Sequence, residues 1–278
     1  MAPQWRCGRY VLSLNQPKIM GVLNCTPDSF SDGGQYLSPD AAIARARQMV
    51  VEGADIIDIG AESTRPGAQA ISSAEEIRRL TPVVEALVAE LGIPISIDTK
   101  KAATMRAMLA LGADIINDVH GLEDDGALDA VKNSNCGLCL MHMRGMPENM
   151  QDNTDYTDLI GEVDDYLQQR TAACLAAGIA PERIALDPGF GFGKNAAQNL
   201  MLVKHIRRFG HERYPLLLGV SRKSTIGQLL GGVPPEERII GSVTLAILGV
   251  DAGAHILRVH DVRATKDALR IREAYIKA

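Results

Sequence analysis

Eight short apolar runs recur along the chain: Ile19–Leu23, Ile56–Ile59, Ile95–Ile97, Ile115–Ile116, Leu138–Met141, Ile184–Leu186, Leu216–Val220 and Ile256–Val259. Each is nearly continuous in hydrophobicity rather than alternating, the pattern of parallel strands covered on both faces. Between them lie helical stretches with legible ends. Ser38-Pro39 places a cap before a first-turn proline, and Ile43, Ala46 and Val50 then line one face up to Gly53. Ser73-Ala-Glu-Glu76 reads as a capping box for a helix running to Leu91-Gly92. Further helices are predicted over Lys101–Leu111, Thr157–Ala177, Gln198–Phe209, Glu236–Leu248 and Val262–Ile276. Strand and helix alternate throughout, and no Gly-x-Gly-x-x-Gly follows the first strand. The pattern predicts an α/β fold, a (β/α)8 TIM barrel, rather than a doubly wound sheet. The residues before Ile19 are expected to form a short β-hairpin that plugs the bottom of the barrel.

The length of 278 residues suits one such barrel, so residues 1–278 are expected to be a single domain. Hydrophobic residues at 46% and charged residues at 23% exclude disorder, collagen and coiled coil. A net charge of −5 and only 4% aromatics argue against nucleic acid and anionic membrane as partners. An anionic substrate must therefore be held by a local cluster of cations. No apolar run approaches the ~20 residues of a membrane span, and Tyr10-Val11-Leu12 is too brief for a secretion signal. The expected compartment is the cytoplasm. Five scattered cysteines argue against a disulfide framework. The Cys136-Gly-Leu-Cys139 pair lies in a strand, its thiols on opposite faces, and both are expected to be buried and unreactive.

Barrel enzymes place their chemistry at the C-terminal ends of the strands. Those ends carry Asn24, Asp58 with the Glu62–Gly67 loop, Asp98-Thr99, Asn117-Asp118, His142, Asp187, Ser221-Arg-Lys223 and Arg258-Val-His260-Asp261. Two sets separate. Asp98, Asn117, Asp187 and Lys223 suit a flat heterocycle presenting an N–H beside an NH2 to a carboxylate. Asn24, Thr64, Arg65, Arg258 and His260 suit phosphate oxygens, because Arg258 and His260 share a strand face and Arg65 reaches in from another loop. A planar heterocycle carrying a polyphosphate satisfies both. Gly189-Phe-Gly-Phe-Gly-Lys194 is neither a Rossmann fingerprint nor a P-loop, since Pro188 and Asn195 stand where a P-loop needs glycine and Ser/Thr.

Most of these residues also have a structural reading. Asp261 and Thr99 read as helix caps, and Phe190 and Phe192 as loop packing. Asp58, inside a strand, needs a partner in the mouth or a structural role. His205 and His211 read as solvated, and His120, His142 and His255 each favour a structural reading, His142 being the first exception to look for. Eight strand ends sharing one polar mouth are harder to assign to structure alone.

Several segments, spread in order over all eight strands, resemble the family of bacterial dihydropteroate synthases, folate-pathway enzymes targeted by sulfonamides. They are Met20–Gly34, Gly60–Gly67, Ser96–Thr99, Ile116–Asp118, Leu140–Met143, Asp187–Lys194, Gly219–Ser224 and Arg258–Val262. Cys25 and Ala61 are small departures beside functional positions. The resemblance implies condensation of 6-hydroxymethyl-7,8-dihydropterin diphosphate with 4-aminobenzoate, releasing pyrophosphate. It implies that Asp98, Asn117, Asp187 and Lys223 hold the pterin, with Met141 packing nearby. Asn24 would be the protein ligand of Mg2+, and Arg65, Arg258 and His260 would hold the diphosphate. Arg258 could also stack over the pterin. Thr64, Pro66, Phe192 and the Ser224 N–H would surround aminobenzoate, the last at a helix start. It implies a homodimer, for which the helices after strands six to eight are the expected contact. The loops 26–34 and 63–67 are expected to close over bound diphosphate and complete the aminobenzoate site.

Two alternatives remain at this point. A pterin-binding methyltransferase barrel shares the Asp, Asn and Asp contacts but leaves Asn24, Arg65 and the Arg258-Val-His260 clamp unexplained. A catalytically silent pterin-binding paralogue is disfavoured by the intact Asn24, Arg65 and Lys223.

Overall fold

The computed structural model describes residues 4–26, 38–62, 70–145, 150 and 154–278. An antiparallel hairpin, β1 (Gln4–Cys7) and β2 (Tyr10–Ser13), precedes the alternating elements. These run β3 (Lys18–Asn24), α1 (Pro39–Glu52), β4 (Ile56–Gly60), α2 (Ser73–Glu90), β5 (Ile95–Asp98), α3 (Ala102–Ala110), β6 (Ile115–Asp118) and α4 (Ala127–Val131). They continue β7 (Gly137–Met141), α5 (Leu159–Ala176), β8 (Ile184–Asp187), α6 (Ala196–Lys204), α7 (Ile206–Phe209), β9 (Leu217–Leu218), α8 (Ser224–Leu229), α9 (Ile239–Ala252), β10 (Ile256–Val259) and α10 (Val262–Lys277). The sheet pairs in parallel in the order β8-β7-β6-β5-β4-β3-β10-β9, and a parallel bridge from Leu186 to Leu216 brings its ends together. The (β/α)8 barrel expected from the apolar runs is the observed fold.

The hairpin occupies the predicted place. Trp5 is fully buried and packs with Met20, Ile56, Ile115, Cys139, Ala185, Leu217 and Ile256 inside the barrel bottom. Its indole Nε1 donates to the Arg183 carbonyl at 2.9 Å, satisfying the ring's one polar atom where water is excluded. Arg9 grips buried Asp114 with Nε at 2.9 Å and Nη2 at 3.0 Å, fixing the hairpin to the strand ends.

Helix ends follow their sequence signals with several corrections; Thr99, expected as a cap, instead accepts the Lys101 N–H at 3.2 Å, and Lys101 precedes α3 without a side-chain cap. Ser38 caps α1, accepting from Ala41 N, and Gly53 closes it at φ 105°. The cap of α2 is Ser72, not Ser73, accepting from Glu75 N at 3.2 Å. Glu76 is then free to turn inward, where Thr104 and Lys101 bind it, so no capping box forms. Asp261 precedes α10 but makes no side-chain cap. Its carboxylate is taken instead by Arg222, at 2.9 and 2.6 Å, because a bidentate guanidinium outcompetes an exposed backbone N–H. The predicted 198–209 helix breaks at His205 into α6 and α7, and a 3-10 turn at Pro235–Arg238 opens α9. All five cysteines are buried free thiols, and Cys136 and Cys139 fall in different apolar clusters.

Candidate active site

Alternate residues of a strand point to opposite faces, so each barrel strand sends every second side chain inward. The bottom inward layer is the apolar one around Trp5. Two residues further along the same strands stand Val22, Asp58, Asn117, Met141, Asp187, Gly219 and Arg258, with Ser96 and Asp98 from β5. One more step reaches Asn24, Ser221 and His260. The interior thus changes from apolar to polar within a single turn of the pleat, and the polar layer opens at the C-terminal strand ends.

Arg258 is the hub of this layer. Its Nε donates to Asp58 Oδ2 at 2.7 Å and its Nη2 to Asp98 Oδ2 at 2.6 Å. Asp58, fully buried, also accepts from Ser96 Oγ at 2.6 Å and Asn117 Nδ2 at 3.2 Å. That answers the puzzle of a carboxylate inside a strand: three donors from three other strands, β10, β5 and β6, hold it. Arg258 therefore belongs to the carboxylate set as well as to the cationic set that the spacing had separated. His260 lies two residues on, its N and Nδ1 both against Ser221 Oγ at 3.1 and 3.0 Å.

Across the mouth, Asp187 Oδ1 accepts the Gly189 N–H at 2.7 Å. Lys223 donates to the Phe190 carbonyl, and its ammonium stands 4.3 Å from the centre of the Phe192 ring. Phe192 packs with Val119, Met141 and Met150. Ser224 is the first residue of α8 and is exposed. Thr64, Arg65 and Pro66 lie outside the described residues, as do most of the 26–34 and 63–67 loops.

Burial governs the charges. Desolvation pushes Asp98 up to about 7, helped by the Asp58 and Glu76 charges and opposed by Arg258. Burial likewise raises Asp187, against Lys223 and the Gly189 N–H. The Lys223 ammonium is pulled down to about 8, first by burial and then by Arg258, with Asp187 resisting. Burial pulls Arg258 down too, but Asp58 and Asp98 outweigh it and hold its guanidinium firmly charged. Two carboxyls raised by burial, beside two cations, form a site that a ligand rich in N–H donors completes.

The sequence pattern gives some residues at the strand ends no role. Ser221 and Arg222 weld the Ser221–Ser224 turn to β10 through His260 and Asp261. Glu62 binds Lys101 and accepts the Ile71 N–H at 3.1 Å, while Lys101 reaches Glu76 at 3.2 Å. His142 is buried and kept neutral, down at about 2, and its Nδ1 meets Lys194 Nζ at 2.9 Å, a structural contact.

A closed barrel with a carboxylate-rich, cation-bearing mouth at the C-terminal strand ends defines an α/β-barrel enzyme. Residues 20–260 match the family described as pterin binding enzyme. The chain is 53% identical over 276 residues to the dihydropteroate synthase of Neisseria meningitidis serogroup B, covering 97% of this chain and 96% of that one. The Xanthomonas albilineans dihydropteroate synthase, solved with 4-aminobenzoic acid, superposes with a TM-score of 0.93 at 46% identity, covering 100% of each chain. That of Burkholderia cenocepacia, complexed with 7,8-dihydropteroate, gives 0.91 at 47% identity, covering 100% of this chain and 98% of the other. The chain belongs to the pterin-binding enzyme family, among its dihydropteroate synthases.

Proposed function

We propose that this mouth joins 6-hydroxymethyl-7,8-dihydropterin diphosphate to 4-aminobenzoate, giving 7,8-dihydropteroate and pyrophosphate. The observation that carries the reading is the convergence of Asp98, Asn117, Asp187 and Arg258 on one layer of the barrel interior, with Lys223 across the mouth, in a chain related over its length to dihydropteroate synthases. The methyltransferase alternative lacks support from any relative described above.

Asp187 and Asp98 accept from the N–H and NH2 edge of the pterin, Asn117 and Lys223 take its remaining polar atoms, and Met141 lies against the ring. The bond from the pterin CH2 to the diphosphate oxygen breaks, the aminobenzoate nitrogen forms the new C–N bond, and that nitrogen gives up a proton. Arg258, His260 and Arg65 stabilise the charge growing on the diphosphate, which a preorganised cationic clamp favours in the transition state over the ground state. Asp98 and Asp187 face the electron-poor pterin as the CH2 loses its leaving group. An aniline nitrogen is neutral at pH 7, so no strong base is required. Thr64, Pro66, Phe192 and the Ser224 N–H enclose aminobenzoate.

Asn24 fits a Mg2+ site. It ends β3 on the inward face, one step above the Asp58 layer, and offers a neutral amide oxygen. Among the described residues no group of three His, Cys, Asp or Glu is placed to hold a metal, and an ion there would draw its remaining oxygens from substrate phosphates and water. Bound there, Mg2+ would neutralise the leaving diphosphate. The test is pyrophosphate release with both substrates, each omitted in turn. Release should need both, vanish with EDTA and return with Mg2+; release without aminobenzoate would sink the synthase assignment.

The same reading makes the chain a cytoplasmic homodimer. Supporting it, Leu229 and Leu230 at the end of α8, Ile240 and Leu248 on α9, and Ile271 and Tyr275 on α10 are exposed apolar side chains of the kind that subunit contacts cover. No helix among the described residues is long and apolar enough to cross a membrane. Analytical ultracentrifugation should give twice the 29.9 kDa chain mass, and Ile240→Glu should halve it; a wild-type monomer at micromolar concentration refutes the dimer.

A further inference from the structure

The loop from β8 to α6 is built around a buried lysine that the reaction does not use. Gly189, Gly191 and Gly193 all have left-handed backbones, at φ 73°, 85° and 63°. A Cβ would fall 1.8 Å from the His142 carbonyl oxygen at Gly189, 2.8 Å from Lys223 Cδ at Gly191 and 2.9 Å from the Arg144 carbonyl oxygen at Gly193. The loop backbone thus lies directly on the end of β7 and on the Lys223 stem. Such a glycine-rich segment loses more conformational freedom on ordering than any other, so specific bonds must hold it.

Lys194 supplies them. Its side chain folds back under the loop, 2% exposed, and its Nζ donates to Gly189 O at 3.0 Å, Phe192 O at 2.9 Å and His142 Nδ1 at 2.9 Å. Three donors meet three acceptors, which satisfies an ammonium fully. Asn199, 1% exposed, fastens the other side. Its Oδ1 accepts the Gly191 N–H at 2.7 Å, and its Nδ2 donates to Lys194 O at 3.1 Å and Thr225 Oγ1 at 2.9 Å. Asn199 therefore ties the loop to α8, beside Lys223 and Ser224.

What the loop carries explains the tight construction. The Phe190 carbonyl accepts from Lys223, and the Phe192 ring stands below the Lys223 ammonium. We propose that Lys194, with Asn199 as its partner, is a positioning residue that fixes Lys223 and Phe192 against each other and so sets the width of the substrate site. The proposal rests on the roles given to Lys223 and Phe192 above. Burial pulls the Lys194 ammonium well below the ordinary lysine range, with Asp187 opposing, as expected of a cation bonded only to neutral acceptors.

The variants K194M and N199A, assayed with both substrates, test it. Loosened walls weaken binding of ground and transition states alike, which raises KM and leaves kcat nearly unchanged. The expected result is a KM for 4-aminobenzoate about tenfold higher, with kcat lowered by less than about threefold, in both variants. A merely structural role instead reduces the folded fraction, lowering apparent kcat and melting temperature at an unchanged KM, and that result overturns the proposal. Should K194M fail to fold, N199A alone decides by the same split, since it removes no charge. Wild-type enzyme that releases no pyrophosphate refutes the proposed function, an outcome separate from either result on the variants.

Discussion

Arg258→Ala is expected to lower turnover by on the order of a hundredfold, the scale seen when one preorganised donor is removed from a developing anion. Pterin lacking phosphate should lose much less affinity, because it never presents the charge that Arg258 meets as the bond breaks. The structure adds a second effect. Arg258 also neutralises Asp58, whose side chain is fully buried, and Asp98. Removing one partner of such a pair costs about 3–5 kcal/mol. The melting temperature should therefore fall by on the order of 10 °C. The double variant Asp58→Asn with Arg258→Met separates the two effects by removing the buried Asp58–Arg258 pair, leaving Asp98, already raised to about 7, to take up a proton. Its melting temperature should recover most of the loss while turnover stays low. If turnover returns along with stability, Arg258 serves the fold and the diphosphate clamp is misassigned.

The ion pairs of Arg258 show how far a sequence carries such a site. Periodicity of two placed Arg258 and His260 on one face, and apolar runs without alternation placed eight strands in a barrel. Both inferences use only local geometry. That Arg258 reaches Asp58 and Asp98 depends on barrel curvature, which turns the inward faces of β10, β4 and β5, two and three strands apart, towards one another. A run of residues carries no record of that distance. The errors share this origin. Asp261 precedes a helix and reads as a cap, yet Arg222 from the preceding turn claims it. Ser73 and Glu76 have capping-box spacing, yet Thr104 and Lys101, from the next βα unit, draw Glu76 inward and leave Ser72 the cap. Short α4 was not legible because five residues give too little periodicity to register. Asn199 was invisible for another reason: a lone amide in a helix looks solvated until its loop partners are known. By contrast, Asp58 announced itself, since a charge inside a strand demands a partner.

Asp187→Asn should reduce pterin affinity at least tenfold while leaving the fold intact, since charged hydrogen bonds of this kind are worth ~1.5–3 kcal/mol. The structure explains why the amide cannot simply rotate to compensate. Asp187 Oδ1 accepts the Gly189 N–H at 2.7 Å, and only an oxygen can do so. In the asparagine variant that oxygen is therefore spent on the loop, and the NH2 group turns to the mouth. There it opposes the pterin's own donors, so an attraction becomes a clash of two donors. Gly189 keeps its partner, so the loop and the melting temperature should hold. The pH dependence supplies an independent reading. Burial raises Asp187, and it pushes Asp98 up to about 7 against the pull of Arg258, so the free site takes up protons at higher pH than ordinary carboxylates do. Bound pterin needs them ionised. Wild-type affinity should accordingly weaken as pH falls below about 7, and binding should release protons there. The variant keeps only the Asp98 part of that dependence, and its proton release should shrink. Calorimetry at pH 6 and pH 8 in two buffers of different ionisation heat measures both quantities. Unchanged affinity together with unchanged proton release would remove Asp187 from the pterin site.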